Sequence, residues 1–137
     1  MFITKNKIRM HDTDMAGRLY FARQFRFAHD ALEDYCESKG FSFDDVFHQS
    51  KFVFVIVHCE ADYISLLKVG DDLEIKVFVE KIGTSSFTIH YDIYKTDGTL
   101  AGKAKTVHVT LDRETGKKIP IPLHFREALE KDCKNGV

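Results

Sequence analysis

The residues best suited to chemistry form one short run, Asp12-Thr13-Asp14-Met15-Ala16-Gly17, directly ahead of a segment whose apolar spacing is helical. A carboxylate placed there can lie beside the free N–H groups of the helix's first turn, which carry the positive end of the helix dipole. An acid or base and an oxyanion-binding site would then be neighbours. The same residues have a plainer use, because Asp12 or Asp14 can simply cap a turn or a helix. Spacing alone leaves both uses open. Elsewhere the chain is chemically quiet. His11, His29, His90, His108 and His124 show no HExxH or His-x-His spacing and pair with no cysteine as in a zinc site, so no metal is expected. There is no GxGxxG, no GxxxxGK[ST] and no Gly-x-Ser-x-Gly elbow, which argues against nucleotide-dependent chemistry and a serine hydrolase. No cofactor is expected.

The elements that must position this run can be read from periodicity. Phe2 to Met10 alternate loosely and suit a first strand, and residues 11–18 collect turn formers. From Ala22 the period changes. Phe25, Ala28, Ala31 or Leu32, and Tyr35 recur at three and four residues, with Arg26, Asp30, Glu33 and Asp34 off the stripe. That is an amphipathic helix of about four turns, closed near Lys39-Gly40. A polar connector covers 41–50. Phe52 to Tyr63 then reads as a long strand with Val53, Val55, Val57, Cys59, Ala61 and Tyr63 on one face. Its other face starts apolar with Phe52, Phe54 and Ile56 and turns polar with His58, Glu60 and Asp62. Gly70-Asp71, Gly83-Thr84-Ser85 and Thr96-Asp97-Gly98 punctuate three further alternating runs, ending near Leu111. Ile119-Pro120-Ile121-Pro122 is extended, and Leu123 to Lys131 suits a short final helix.

This order predicts an α+β arrangement, a curved five-stranded antiparallel sheet laid around one long helix, with a short C-terminal helix. The 137 residues correspond to one domain, 1–137. With 20 Lys+Arg against 21 Asp+Glu there is no basic field for a nucleic-acid backbone. No apolar run is long enough for a signal peptide or a membrane span. Cys36, Cys59 and Cys133 are odd in number and scattered, as reduced thiols of a cytoplasmic protein would be. One helix cannot cover both faces or both edges of such a sheet, so a second copy is expected to complete the fold.

The run Met10-His11-Asp12-Thr13-Asp14-Met15-Ala16-Gly17-Arg18-Leu19-Tyr20-Phe21-Ala22 resembles the opening motif of the hot-dog-fold acyl-CoA thioesterases of the 4-hydroxybenzoyl-CoA thioesterase type. The element order and the Gly83-Thr84-Ser85-Ser86 turn are similar to that family's as well, over roughly residues 3 to 112. The resemblance implies the hot-dog fold and hydrolysis of an acyl-CoA to the free acid and CoA. It makes Asp14 the catalytic carboxylate, either a nucleophile forming a mixed anhydride or a base acting on water. It gives the Phe21 backbone N–H the task of polarising the thioester carbonyl, with Gly17 letting the backbone approach the substrate. It places His58 near the acyl group. Tyr20 is a further substrate-binding candidate, Lys81, Thr84 and Ser85 sit near a turn that could face a CoA phosphate, and a homodimer or homotetramer with the site at a subunit interface is expected.

Two positions depart from the family pattern. Arg23 stands where many members carry Asn, and Phe21 stands where a short-chain branch often has His. The second favours a medium-chain or aromatic acyl group, and the His-Asp-Thr-Asp and Tyr-Phe-Ala runs are also similar to those of dihydroxynaphthoyl-CoA thioesterases. Arg18 is either a solvated charge or a phosphate contact, and His58, Lys81, Thr84 and Ser85 have ordinary structural readings as strand and turn residues. Two other classes fit the same fold. One is a module that binds acyl-CoA without turning it over. The other is a dehydratase using a histidine of the central helix, where His29 is the candidate and lies on the polar side.

Overall fold

The computed structural model describes residues 1–42, 44 and 50–133. Most of the expected polar connector 41–50 lies outside them. Five strands, β1 (Phe2–Lys7), β2 (Phe52–Tyr63), β3 (Asp72–Ile82), β4 (Ser86–Lys95) and β5 (Leu100–Asp112), form one antiparallel sheet in the order β1-β3-β4-β5-β2. Between β1 and β2 runs α1 (Gln24–Ser38), and after the sheet comes α2 (Leu123–Lys131). This is the hot-dog arrangement expected from the sequence.

The sheet curves around α1 because its inner face is apolar at every second residue. Leu73, Ile75, Val77 and Val79 of β3 and Phe87, Ile89, Tyr91 and Ile93 of β4 are buried against Phe27, Ala28, Ala31, Leu32, Tyr35 and Cys36 of the helix. The small side chains of Ala28 and Ala31 let the helix axis sit close to the strands. The buried stripe is broader than the expected one, and Phe25 is only half-buried. The helix closes at Gly40, whose φ of 86° is the left-handed conformation glycine adopts without strain. At the far end of the sheet Phe125 of α2 stacks on Phe54, with ring centroids 5.7 Å apart, and meets Phe87 edge-on. Asp132 anchors the chain's end by accepting from the Tyr35 hydroxyl at 3.0 Å and pairing with Lys39 at 2.7 Å.

Two boundaries differ from the sequence reading. β1 stops at Lys7 rather than Met10, because Arg9 N–H turns to the Asp12 carboxylate and Met10–Asp12 closes into a 3-10 turn. β2 is not one uninterrupted alternation. Its register with β5 slips between Ile56 and His58, leaving Val57 as the extra residue of a bulge. Phe52, Phe54 and Ile56 therefore share the inner face with Cys59, Ala61 and Tyr63, paired with Thr106, Ala104 and Gly102. His58, Glu60 and Asp62 join Val53 and Val55 on the outer face.

Beneath α1 lies a buried polar chain in which the Tyr91 hydroxyl meets Thr106 Oγ1 at 3.0 Å and Thr106 Oγ1 meets His108 Nε2 at 2.8 Å. The His108 ring stacks on Phe87 at 4.7 Å, and its Nδ1 is buried without a partner among the described residues. Burial, aided by nearby His29, pushes its pKa down to about 4, so it is neutral near pH 7. The unfolded chain binds a proton at about 6.5 and the folded chain does not. Stability is thus complete above pH ~6.5 and falls as pH drops toward 4, by up to about 3 kcal/mol. Urea unfolding at pH 7.5 and pH 5 should show this loss, and His108→Gln should remove most of the slope between those pH values.

Candidate active site

The motif run is folded by its two aspartates in different ways. Asp12 is fully buried, and Arg26 grips it with both arms of its fork, Nε to Oδ1 and Nη2 to Oδ2, each at 2.7 Å. Oδ2 also accepts Arg9 N–H at 2.8 Å, and His11 Nε2 lies 3.5 Å from Oδ1. Burial by itself would raise this carboxyl's pKa, but the Arg26 fork and the Arg9 N–H together outweigh it and hold the group below the usual carboxylate range. Asp12 is therefore a fixed anion rather than a working acid or base. Neither aspartate caps α1, which has no side-chain cap.

Asp14 is exposed and sits in a tight reverse loop bracketed by the Thr13–Leu19 bridge. Its N–H donates to Arg18 O at 2.8 Å, and its Oδ1 accepts Ala16 N–H at 2.9 Å and Arg18 N–H at 3.3 Å. The second oxygen, Oδ2, has no partner among the described residues. The carboxylate is thus aimed by one oxygen and open at the other. Gly17 has a φ of 73°, and a Cβ there would meet nothing within 4 Å. Its glycine is needed for the turn's left-handed backbone rather than for space.

The loop then docks and starts the helix. Leu19 N–H donates to Leu67 O and Tyr20 N–H to Asp12 O, both at 2.8 Å. Phe21–Arg23 makes one 3-10 turn that leads into α1. Arg23 N–H returns to Tyr20 O at 2.8 Å, which leaves the N–H groups of Phe21 and Ala22 without an acceptor among the described residues. The Tyr63 hydroxyl of β2 donates to Phe21 O at 2.7 Å and so fixes that peptide's neighbour from the sheet side. Tyr20 and Phe21 are exposed, with ring centroids 5.0 Å apart. Beside them is a notch of about 210 Å³ walled by Arg18, Leu19, Phe21, Gln24, Tyr63 and Leu66.

The expected site residues fall into three places. Asp14, Gly17, Tyr20 and Phe21 come together at this junction. His58 is exposed on the outer face of β2, 3.6 Å from Glu60. Lys81, Thr84 and Ser85 surround the β3–β4 turn, and Lys81 lies at the opposite end of β3 from Asp72, which pairs with the last residue of β1. At the usual rise of a strand that is a separation of ~30 Å. The Thr84 carbonyl holds the C-terminal segment by accepting Ile121 N–H, and the Ser85 carbonyl accepts Thr110 N–H of β5, each at 2.9 Å. Among the described residues no group of three side chains could hold a metal ion, and no helix is long and apolar enough to cross a membrane. Sequence reasoning missed Arg26 and Gln24. Arg26 carried a signal only in sitting one helical turn before Asp30 on the polar side of the helix, and Gln24 carried none.

The fold and this loop–helix junction define a thioesterase-like protein. Residues 8–129 match the family model of the thioesterase-like superfamily, and the chain belongs to that superfamily. It is 34% identical over 136 residues to a 1,4-dihydroxy-2-naphthoyl-CoA hydrolase of Nostoc punctiforme, covering 98% of this chain and 91% of the relative. It is 33% identical over 133 residues to a 1,4-dihydroxy-2-naphthoyl-CoA hydrolase of Prochlorococcus marinus, covering 93% and 88%. The crystal structure of a 1,4-dihydroxy-2-naphthoyl-CoA thioesterase from Synechocystis superposes with a TM-score of 0.87 at 26% identity, covering 93% of this chain and 94% of that one.

Removing one partner of the Asp12–Arg26 pair strands a buried charge, which costs about 3–5 kcal/mol where a pair is fully buried. Because Arg26 keeps some contact with water, Arg26→Ala should cost about 3 kcal/mol in urea unfolding. The variant should also be cleaved by protease within residues 11–20 well before the wild type, as the loop loses its anchor.

Proposed function

We propose that this protein hydrolyses an aromatic acyl-CoA thioester to the free acid and CoA, with Asp14 as the catalytic carboxylate and the Phe21 N–H as the oxyanion donor. The observation that carries this reading is the open Asp14 Oδ2 on the same short loop that ends in the unpaired Phe21 N–H. A thioester carbonyl hydrogen-bonded to that N–H, at the positive end of α1, is polarised for attack. Asp14 then either attacks the carbonyl carbon itself, expelling CoA thiolate and leaving an anhydride for water to cleave, or takes a proton from the water that attacks. In both routes the C–S bond breaks, the acid gains one oxygen from water, and the thiolate is protonated. The naphthoyl-CoA activity of the relatives supports an aromatic acyl group, as does the aromatic wall of Tyr20 and Phe21.

The working unit in this reading is a homodimer, or a homotetramer built from it, in the cytoplasm. β2 is a twelve-residue edge strand with one side unpaired among the described residues, and Ile56 and Val57 are 44% and 59% exposed. A long apolar edge of this kind invites pairing with another copy. Antiparallel pairing of two β2 strands about a two-fold axis lays the partner's Phe52 end beside Tyr63. The partner's β3–β4 turn, carrying Lys81, Thr84 and Ser85, then approaches Asp14 and Phe21, where it can grip a CoA phosphate, and His58 stands near the seam. Three unbonded thiols, Cys36, Cys59 and Cys133, support a reducing compartment.

A free-thiol assay over short, branched, long and aromatic acyl-CoAs tests the reaction. Asp14→Asn should lower kcat by about 10²–10⁴-fold with little loss of stability, because Asn Oδ1 can still accept the Ala16 and Arg18 N–H groups. Phe21→Ala keeps the N–H and should cost less than about tenfold. An unreactive panel, or full activity in Asp14→Asn, would reject the proposal and favour a binding module. Light scattering should give a dimer or tetramer at micromolar concentration, and a monomer would remove the shared site.

A further inference from the structure

Gln24 is a fully buried amide at the first position of α1, one turn beyond Phe21. Its Nε2 donates to Asp62 O at 3.0 Å and to Lys103 O at 2.9 Å, so both protons are used and the amide's orientation is settled. Its Oε1 is buried with no partner among the described residues. Buried acceptors are almost always satisfied, and one left open needs a reason. The chain also keeps space for this amide, because a Cβ at Gly102 would lie 2.8 Å from both Nε2 and Oε1. The neighbouring strand residue thus leaves the amide its room.

Gln24 walls the 210 Å³ notch together with Phe21, Tyr63, Leu19 and Leu66. An apolar cavity of about 150 Å³ takes one benzene ring, so this notch suits a single aromatic ring. Leu19, Phe21, Leu66 and Leu67 make its apolar walls and Arg18, Tyr63 and Ser65 its polar ones. The Tyr63 and Ser65 hydroxyls already donate to Phe21 O and Leu100 O, and the nearby Asp62 and Lys103 carbonyls are engaged by Nε2. A lone water would find few of the two to four polar partners that hold a buried water. A hydroxyl carried in on a ring needs only the one acceptor. Phe21 belongs to both the notch and the oxyanion site, so the acyl substituent of a carbonyl bound at its N–H has the notch within reach.

We infer that this notch receives the aromatic ring of the acyl group and that Gln24 Oε1 accepts a hydrogen bond from a hydroxyl on that ring, making Gln24 a determinant of specificity for hydroxylated aryl-CoA substrates. This rests on the thioesterase reading above. The test compares kcat/KM for benzoyl-CoA with its 2-, 3- and 4-hydroxy isomers by thiol release. In the wild type at least one hydroxy isomer should be preferred about tenfold, the worth of one neutral hydrogen bond. Gln24→Met should bring that ratio close to one, whatever happens to the rate common to all four substrates, since structural damage lowers them together. Gly102→Ala, which crowds the amide without deleting it, should lower the ratio too, and it carries the comparison if Gln24→Met does not fold. Equal wild-type kcat/KM across the four, or a ratio that survives both substitutions, overturns the inference while leaving thioester hydrolysis standing. No thiol release from any aromatic acyl-CoA overturns hydrolysis itself, and this inference with it.

Discussion

The pairing of Asp12 with Arg26 is the joint on which the site depends. Taking a carboxylate out of water is costly, and only a partner with matched geometry and further hydrogen bonds can offset the cost. Arg26 supplies a two-point fork, Arg9 supplies a backbone N–H, and the Asp12 carbonyl in turn accepts Tyr20 N–H. One side chain therefore ties the end of β1, the start of the helix and the loop between them. A second contact of Arg26, to Asp30 at 2.8 Å, keeps the guanidinium on the helix face that the loop must meet. Asp14 needs no such burial, since its position follows once both ends of its seven-residue neighbourhood are fixed.

How much of this was legible in the sequence depends on whether the deciding interaction was local. The helix, the alternation of β3, β4 and β5 and the glycine turns follow from short-range spacing, and all five strands and both helices were visible in it. The bulge at Val57 was not, because a bulge adds one residue without changing composition. Reading β2 as an unbroken alternation put His58 in line with Phe54 and Ile56. The slip in register instead puts it on the outer face with Glu60 and Asp62. Similarly Asp12 and Asp14 are indistinguishable as letters two positions apart. Their roles separate only through Arg26, a contact fourteen residues away that helical spacing set aside as off the apolar stripe. Asp30 and Asp34 were set aside likewise, and they accept from Asn6 and Thr4 of β1.

The two edges of the sheet are treated differently, and the difference bears on function. β1 is short, its Thr4 and Asn6 side chains are tied to α1, and beyond it Cys133 bridges to Val79, so that edge is largely occupied. β2 is twice as long and uncovered, and it is the strand that holds Tyr63 against Phe21. The free edge therefore runs directly into the candidate site. A protein that only needed to avoid aggregation would blunt such an edge with charge or proline. Here Glu60 and Asp62 put charge on one half of the edge only, and Ile56 and Val57 stand exposed at its middle.

That choice answers a difficulty in the single chain. A thioester polarised by one backbone N–H gains most when water is excluded, because hydrogen bonds and charges act more strongly where the surroundings do not screen them. Asp14, Tyr20 and Phe21 are all exposed in one copy, so the chain alone aims its reactive groups but leaves them in water. Covering them from within would take another element on a chain whose one long helix is already spent filling the sheet. A second copy paired along β2, as proposed, would cover them without additional sequence. The same pairing would bring the β3–β4 turn, ~30 Å away in the same chain, to the place where a CoA tail would leave the pocket. On this pairing, the exposed edge and the exposed carboxylate are one feature, and each accounts for the other.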